Sequence, residues 1–284
     1  MVGGLRPPAP AILRTRIVRY YARYGRDLPW RRTRDPYAVL VSEVMLQQTQ
    51  VSRVVPAYRA FLARFPTLRA LARASLGDVL RAWSGLGYNR RARDLHRSAR
   101  LHPGSLPRQV ADLDALPGVG PYTAGAVACF AHGDRVAFAD TNIRRVLGRV
   151  MLGRVASEPE AREVDRALMP ARGADRWHHA LMDLGATICV ARTPRCAICP
   201  IASDCLAHRR GPVTRAPTKR QAPFATSDRR VRGRIVRLLR EARDGLSARS
   251  LETTIEDDRV KRLLGALERD GLIERTGARF RLPA

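Results

Sequence analysis

Four of the five cysteines of this chain lie within residues 189–205, and this cluster limits the possible folds more than any other feature. The spacing of Cys189, Cys196, Cys199 and Cys205 is C-x6-C-x2-C-x5-C, which can bring four thiolates to one inorganic centre. Structural zinc sites usually use two close cysteine pairs, whereas only Cys196 and Cys199 form one here. Uneven spacing favours an iron–sulfur cluster, with a zinc ion, disulfides or free thiols as the alternatives.

The rest of the chain argues against a disulfide framework. A chain of 284 residues can bury an adequate core without disulfides, which are typical of short secreted domains. The N-terminal sequence MVGGLRPPAP lacks the apolar run of a secretory signal, and no segment is apolar over a membrane-spanning length. We therefore expect a cytoplasmic protein with no membrane partner. Cys129, in the apolar run AVACFA, is expected to be a small buried hydrophobe.

The charge of the chain predicts a polyanionic partner. It contains 52 Lys and Arg against 26 Asp and Glu, which gives a formal net charge of +26. Such a charge attracts nucleic acid, with an affinity that falls as the salt concentration rises. Attraction to a membrane surface is the weaker alternative, because no basic amphipathic anchor is recognisable.

The hydrophobic pattern predicts an almost wholly helical chain. After a Pro- and Gly-rich tail at residues 1–10, apolar residues recur at helical spacing from 11 to 207. Residues 208–227 are rich in Pro, Thr and basic residues and are expected to form a linker. From 228 to 284 the pattern predicts three helices and then two short strands that turn at Thr276-Gly277, which is the order of a winged-helix module.

One glutamate lies inside an apolar helical segment. Asp35-Pro36 is a good helix start, since aspartate caps the helix and proline fits its first turn. The segment that follows, YAVLVSEVML, is apolar on most faces and contains Glu43. Desolvation is expected to raise the pKa of Glu43, which suits a general acid; a position on a wet stripe or an ion pair with arginine is the alternative.

Two further helix starts carry candidate site residues. The segment LPGVGPYT at residues 116–123 places glycines in a tight turn before a helix, whose free N–H groups can bind a phosphate. An ordinary helix–helix connection has the same pattern. In the segment FADTNI, Asp140 or Thr141 is a candidate N-cap, and capping alone would explain it.

Taken in order, these segments resemble the helix-hairpin-helix DNA glycosylases that carry a four-iron cluster, and among them the MutY-type adenine glycosylases most closely. The resemblance extends from about Leu28 to Cys205 and rests on SEVMLQQTQ, WSGLGYNRRARDLH, LPGVGPYTAGAV, the Asp140-Thr141-Asn142 stretch, MDLGATIC and the cysteine spacing. It implies an all-α, bilobal HhH-GPD fold with a six-helix lobe at about 35–140. It also implies a cluster lobe formed by 11–34 and 141–207, in which the four cysteines hold a [4Fe-4S] cluster.

The resemblance also implies a role for each site residue. Glu43 matches the general acid that protonates adenine, and Asp140 matches the carboxylate that stabilises the oxocarbenium-like sugar, with Tyr122 and Asn142 in support. Trp30 and Arg31 match residues near the base pocket, and Gln48 and Tyr88 match side chains that wedge into the duplex. The hairpin positions expected to contact DNA are Leu116, Gly118, Val119, Gly120 and Thr123.

The implied activity is that of a monofunctional glycosylase of base excision repair. Such an enzyme flips adenine out from opposite 8-oxoguanine or guanine and hydrolyses its glycosidic bond. In the endonuclease III branch a lysine after the hairpin forms a Schiff base, whereas this chain has Tyr122 there and no lysine before Lys219, so little lyase activity is expected. A thymine or uracil mismatch glycosylase and a non-catalytic damage sensor are the alternatives. The expected partner is double-stranded DNA with a mismatch or damaged base, bound by a monomer.

The chain departs from the family pattern in three places. Residues 228–284 predict a winged helix where adenine glycosylases have a Nudix-like domain that reads 8-oxoguanine, so the preferred opposing base stays open. An extra DNA contact by this module is one hypothesis, with docking or solubility as the other; its candidate residues are Lys261, Arg262, Arg279 and Arg281. Thr141 stands where glycine is usual, and Asn89-Arg90 follows Gly-Leu-Gly-Tyr.

Overall fold

The computed structural model describes residues 9–211 and 223–284, and nearly all of their regular structure is helical. This confirms the all-α fold class that the sequence predicts. Most of the expected tail, residues 1–8, and most of the expected linker, residues 212–222, lie outside the described residues. No helix in these two described ranges is long and apolar enough to cross a membrane.

The helices before the C-terminal module are joined by short loops and single 3-10 turns. They are α1 (Pro10–Tyr24), α2 (Pro36–Leu46), α3 (Val51–Arg64), α4 (Leu68–Arg73), α5 (Leu76–Ala82), α6 (Arg90–Leu101), α7 (Val110–Asp114), α8 (Pro121–His132), α9 (Thr141–Met151), α10 (Glu158–Leu168), α11 (Ala174–Thr187) and α12 (Leu206–Arg209). The 3-10 turns are Pro29–Arg31, Cys196–Ile198, Ala202–Asp204 and Phe224–Thr226.

The chain forms two compact units. The described part of the first unit consists of residues 9–39, 109–114 and 120–211, and that of the second of residues 40–108, 115–119 and 223–284. The second unit therefore combines α3 to α6 with the whole C-terminal module.

In the first unit, α8 is buried along most of its length. Every residue from Thr123 to Ala131 is buried, including Cys129, which confirms the expectation for that cysteine. The small residues of this helix allow close neighbours, since a Cβ on Gly125 would lie 3.1 Å from Phe138 Cβ. This helix therefore forms the inner wall on which the segment before α9 lies.

The C-terminal module has the order of a winged helix. It consists of α13 (Asp228–Glu241), β1 (Leu246–Ser247), α14 (Ala248–Ile255), α15 (Val260–Arg269), β2 (Glu274–Thr276) and β3 (Arg279–Arg281). The three antiparallel strands lie in the order β1-β3-β2, with Phe280 opposite both Leu246 and Arg275. The sequence predicts the three helices and the hairpin at Gly277 but not β1, because two half-buried residues give no periodic signal.

Candidate active site and cysteine cluster

Glu43 lies on α2, whose N-terminus is capped as the sequence predicts. The Asp35 carboxylate accepts hydrogen bonds from the backbone N–H of Tyr37 at 3.1 Å and of Ala38 at 3.3 Å. The residues of α2 around Glu43 are mostly apolar and buried, and Glu43 itself is only 6% exposed. A carboxyl group in this setting has lost most of its water, as the sequence predicts for this position.

Asp140 is the N-cap of α9, and its carboxylate is fixed by three hydrogen bonds. Oδ1 accepts from the backbone N–H of Asn142 at 2.9 Å and of Ile143 at 2.7 Å, and Oδ2 accepts from Asn142 Nδ2 at 2.8 Å. Burial raises the pKa of Asp140 above its ordinary value, against the opposing effect of these hydrogen bonds and of Arg145. The carboxylate is thus held in one orientation and is costly to ionise.

Asn142 is itself positioned by a chain of contacts that ends at a cysteine. Arg145 donates from Nη2 to Asn142 Oδ1 at 2.7 Å and from Nε to the Cys189 carbonyl at 2.6 Å. A Cβ on Gly185 would lie 2.6 Å from Asn142 Cβ, so only glycine lets α11 approach this closely. Arg145 is not indicated by the sequence analysis. Helical spacing could have found it, because it places this arginine on the buried face of α9.

The hairpin between α7 and α8 is tight, as its glycines predict. Gly118 has φ of +73°, and a Cβ there would lie 2.8 Å from Asp94 Cβ, so a side chain is excluded on two grounds. Gly120 is the N-cap of α8 and makes no side-chain cap, because it has no side chain. The first N–H groups of α8 therefore have no capping side chain from the N-cap residue, which suits a phosphate group.

The other hairpin residues differ in exposure. Leu116, Val119 and Thr123 are buried, whereas Gly118 is exposed and Gly120 is half-buried. The Tyr122 ring lies edge-on to the Phe138 ring, with centroids 5.5 Å apart. The structure thus places the hairpin backbone outward and its larger side chains inward.

Gln48 and Tyr88, the two residues that match duplex wedges, both have left-handed backbones and lie near one arginine. Their φ angles are +57° and +46°. The Arg91 guanidinium lies 5.4 Å from the centroid of the Tyr88 ring and 5.5 Å from that of Trp83. Its Nη1 donates to the carbonyl of Gln47 at 2.6 Å, next to Gln48.

Arg91 joins the end of α2 to the loop before α6. Besides Gln47, Nη1 donates to the carbonyls of Val44 and Met45, both at 2.8 Å. Nη2 donates to Thr49 Oγ1 at 3.1 Å, to the Leu86 carbonyl at 3.3 Å and to the Gly87 carbonyl at 3.2 Å. Burial lowers the pKa of Arg91 to about 10. Arg91 is not indicated by the sequence analysis, although helical spacing places it beside Ala92, Leu95 and Ala99 on the apolar face of α6.

Trp30 and Arg31 lie on the 3-10 turn at Pro29–Arg31 and are both largely buried. Arg31 makes a bidentate ion pair with Asp183, with Nη1–Oδ2 and Nη2–Oδ1 distances of 2.8 Å. It also donates to the Arg26 carbonyl at 3.0 Å. The guanidinium lowers the pKa of Asp183 in spite of the burial of that carboxylate. Arg31 is thus committed to an ion pair within the first unit, with Asp183 as a partner that the sequence does not indicate.

The four clustered cysteines line one cavity. Its other walls are mainly apolar, with Val146, Val150, Leu184, Ile188 and Ile201 among them. Burial raises the pKa of Cys196 and Cys205, and raises that of Cys199 to about 12. Within residues 9–211 and 223–284, no three His, Cys, Asp or Glu side chains are grouped closely enough to hold a single metal ion.

The donor set of this cavity fits an iron–sulfur cluster. Four thiols and no carboxylate line it, and Arg149 donates from Nη1 to Cys189 Sγ at 3.4 Å. A positive donor directed at a sulfur atom stabilises thiolate, the form that iron requires. Arg195 and His208 add further basic groups to the wall. Cys189, Cys196, Cys199 and Cys205 would therefore hold the cluster, which when bound cross-links four points of this segment.

The carboxyl groups of Glu43 and Asp140 belong to different units. In the first unit, Arg145 and Asn142 connect Asp140 to the backbone of Cys189. In the second unit, Arg91 connects the end of the helix that carries Glu43 to the segments that carry Gln48 and Tyr88. Each unit therefore contains one of the two candidate catalytic carboxyl groups, together with other residues that the sequence predicts for the site.

Two family models match parts of this chain. Residues 41–171 match the "HhH-GPD superfamily base excision DNA repair protein" family, and residues 189–205 match the "Iron-sulfur binding domain of endonuclease III". The second match confirms the [4Fe-4S] cofactor that the sequence predicts. The helix-hairpin-helix fold is confirmed as well.

Several relatives cover most of the chain. The adenine DNA glycosylase of Mycobacterium tuberculosis strain H37Rv is 43% identical over 282 residues, which is 95% of this chain and 93% of the relative. That of Mycolicibacterium smegmatis is 42% identical over 277 residues, with 94% of both chains covered. The human adenine DNA glycosylase is 42% identical over 215 residues, which is 68% of this chain but 39% of the human protein.

Solved structures with the same fold include a thermostable thymine-DNA glycosylase and endonuclease III. The thymine-DNA glycosylase has a TM-score of 0.65 and 28% identity, and the match covers 71% of this chain and 97% of the glycosylase chain. The endonuclease III chain of a non-covalent complex with DNA has a TM-score of 0.62 and 21% identity, and the match covers 70% of this chain and 95% of the endonuclease III chain. The second likeness shows the fold alone.

Proposed function

We propose that this chain, which belongs to the adenine DNA glycosylase family, removes adenine from mismatched duplex DNA by hydrolysing the N-glycosidic bond. The observation that carries the proposal is a pair of carboxyl groups in contrasting settings. Glu43 is buried in an apolar helix, and Asp140 is fixed at a helix N-terminus. Hydrolysis of a glycosidic bond requires one acid and one charge-stabilising carboxylate, whose environments differ.

The chemical steps follow from these settings. The target nucleotide leaves the stack, because its glycosidic bond is inaccessible within the duplex. Glu43 donates a proton to the adenine ring, and the bond between the sugar C1′ and adenine N9 breaks with both electrons going to the base. Ionised Asp140 stabilises the positive charge on the sugar while Asn142 fixes its orientation. Water then adds to C1′ and loses a proton, which leaves an abasic site.

The reaction stops at the abasic site. Strand cleavage by a glycosylase requires an amine that forms a Schiff base with C1′. Tyr122 occupies the position after the hairpin, and the sequence has no lysine before Lys219. The Tyr122 ring lies against Phe138 and supports the segment that leads to Asp140.

The partner is double-stranded DNA. The net charge of +26 supports its attraction, and the hairpin backbone, exposed at Gly118 and half-buried at Gly120, supports a phosphate contact. Gln48 and Tyr88 enter the duplex beside the flipped base, and Trp30 and Arg31 border the base pocket. The enzyme acts as a monomer in the cytoplasm, at the nucleoid.

Guanine and 8-oxoguanine are the proposed opposing bases. The C-terminal winged helix stands where a Nudix-like reader is expected, so a preference for 8-oxoguanine has to come from elsewhere in the chain. Removal of thymine opposite guanine is the second candidate, favoured by the likeness to a thermostable thymine-DNA glycosylase at a TM-score of 0.65.

A panel of duplexes under single-turnover conditions tests the function. The duplexes carry A opposite 8-oxoguanine, A:G, A:C, U:G, T:G or hypoxanthine, and strand breaks are scored with and without alkali. Breaks at adenine that appear only after alkali are expected. Excision of thymine alone would favour the second candidate, and the absence of an abasic site in every duplex would exclude a glycosylase.

A further inference from the structure

The loop that carries Tyr88 contains three residues in the left-handed region of the backbone. This segment, residues 84–89 between α5 and α6, is called the 84–89 loop below. Gly85, Gly87 and Tyr88 have φ angles of +82°, +70° and +46°. A tyrosine in the left-handed region is strained and persists only where its surroundings fix it. The contacts that neighbours make with this loop therefore set the position of Tyr88.

Part of this support comes from α3 and α6. Arg91 binds the carbonyls of Leu86 and Gly87 and lies over the Tyr88 ring. Arg53 on α3 donates to the Gly85 carbonyl. These contacts fix the middle of the loop, and neither of them reaches its ends at Ser84 and Asn89.

The ends of the loop have backbone hydrogen bonds to α5 and α6, from the Ser84 N–H to the Arg81 carbonyl and from the Ala92 and Arg93 N–H groups to the Asn89 carbonyl. Their side chains contact the C-terminal module. Arg240 on α13 donates from Nη2 to Asn89 Oδ1 at 3.1 Å and from Nη1 to Ser84 Oγ at 3.4 Å. Arg229, at the start of the same helix, donates from Nη1 to the Tyr88 hydroxyl at 3.1 Å. One helix thus contacts both ends of the loop and the tip of its tyrosine.

The Arg240 side chain is largely removed from water, unlike a surface arginine that only adds solubility. Burial lowers its pKa to about 10, and within the described ranges its Nε is buried without a hydrogen-bond partner. Burial of a guanidinium against two neutral side chains costs free energy. Its contacts with the 84–89 loop are the compensation that the structure provides.

The module is also fixed to the rest of the second unit. Asp270 accepts from Arg90 Nη2 at 2.7 Å and from Arg232, and its carbonyl accepts from Arg93. The Pro283 carbonyl accepts from the Gly77 N–H at 2.7 Å, in the first turn of α5. Asn89 and Arg90, the departure from the family pattern that follows Gly-Leu-Gly-Tyr, both contact the module.

Three of the four basic residues that the sequence offers for a DNA contact of this module have partners inside it. Arg262 pairs with Asp228 at 2.9 Å and Arg281 with Glu274 at 2.7 Å. Arg279 donates to the Gly245 carbonyl at 3.2 Å. These contacts favour a role within the protein over a contact with DNA.

We propose that the winged-helix module braces the 84–89 loop, with Arg240 and Arg229 as positioning residues that set Tyr88 for entry into the duplex. The role in the duplex rests on the proposed function, whereas the brace is a property of the free protein. The module then contributes to base flipping by its contacts with the 84–89 loop and not by binding DNA.

Hydrogen exchange of the full-length protein tests the brace without reference to catalysis. Arg240→Ala is expected to increase the exchange rate of the amides in the 84–89 loop about tenfold, as for the loss of a charged hydrogen bond. Arg237→Ala is the matched control, because Arg237 is an exposed arginine on the same helix. Unchanged exchange in Arg240→Ala, or an equal increase in Arg237→Ala, would overturn the proposal.

Excision and binding assays then separate positioning from a DNA contact. In Arg240→Ala and Arg229→Ala the single-turnover excision rate is expected to fall about tenfold, with little change in duplex affinity. Loss of a phosphate contact would instead weaken binding and reduce the slope of log affinity against log salt by about one. That result would contradict the brace.

Two variants connect the effect to named contacts. Arg240→Lys, which keeps a charged donor, is expected to recover most of the excision rate. In a Tyr88→Phe background, which lacks the hydroxyl, Arg229→Ala is expected to have no further effect. Additive losses would show that Arg229 acts elsewhere. If the wild type excises no base, the proposed function fails, and hydrogen exchange still decides on the brace.

Discussion

Arg91 provides the sharpest prediction about how the second unit holds its functional loops. In Arg91→Met the apolar stem is largely retained, but the guanidinium and its six hydrogen bonds to Val44, Met45, Gln47, Thr49, Leu86 and Gly87 are lost. The left-handed residues Gln48 and Tyr88 lose their common support. We expect the folded state to be destabilised and the excision rate to fall.

The magnitude follows from two opposing contributions. Nη1 and Nη2 carry four protons, which the six acceptors share, and four hydrogen bonds from a charged group at about 1.5 kcal/mol each stabilise the fold by about 6 kcal/mol. Burial of the guanidinium, which lowers the pKa of Arg91 from 12.5 to about 10, costs about 3 kcal/mol. The variant should therefore lose about 3 kcal/mol, which corresponds to a fall of about 6 °C in the midpoint of thermal unfolding for a chain of this size.

Thermal unfolding and single-turnover excision measure this prediction together. Arg97→Ala, which removes an exposed arginine from the same helix, is the control and should leave both values near those of the wild type. A fall of less than 1 °C in Arg91→Met, with normal excision, would refute the assignment of Arg91 as the residue that joins these loops.

Three further predictions concern the first unit. Because burial raises the folded-state pKa of Asp140 above 3.8, the folded protein retains a proton that the unfolded chain has released, and stability falls as pH rises through the folded pKa. Asp140→Asn should remove this loss, so that its midpoint rises relative to the wild type as the pH rises above 3.8, while excision is abolished. Gly185→Ala, which places a Cβ 2.6 Å from Asn142 Cβ, should cost about 2 kcal/mol and lower the excision rate more than the duplex affinity. The anaerobically purified protein should absorb near 400 nm because of its cluster, and lose this absorbance in Cys199→Ser.

Each of these has an outcome that would contradict it. A midpoint difference between Asp140→Asn and wild type that is independent of pH would show that this carboxylate does not titrate in that range. Normal excision in Gly185→Ala would show that Asn142 need not be held so closely, and Gly104→Ala, at an open loop position, is its control. A colourless, zinc-loaded protein would exclude the cluster.

The parts of the fold that the sequence predicts are those with local signals. Helical periodicity identified the winged helix, and the Asp35 and Asp140 caps follow from residue type and position alone. Burial of Glu43 follows from the apolar segment around it. These features depend on neighbours within about one helical turn.

The parts that the sequence does not predict depend on contacts between distant segments. Helical spacing places Arg91 and Arg145 on buried faces, but only the folded chain shows which carbonyls they meet and which arginines meet Asp183. The same holds for Arg240, since its partners Ser84 and Asn89 lie far away along the chain. Asn89-Arg90 can be seen in the sequence as a departure from the family, but not as a contact of the C-terminal module.

The central claim is that Glu43 supplies the proton for the departure of adenine, and Glu43→Gln tests it most directly. The measurement is the single-turnover excision rate of adenine opposite 8-oxoguanine or guanine, together with the affinity for the same duplex. The account predicts that excision is abolished while the affinity stays near that of the wild type. An excision rate in Glu43→Gln close to the wild-type rate would contradict it.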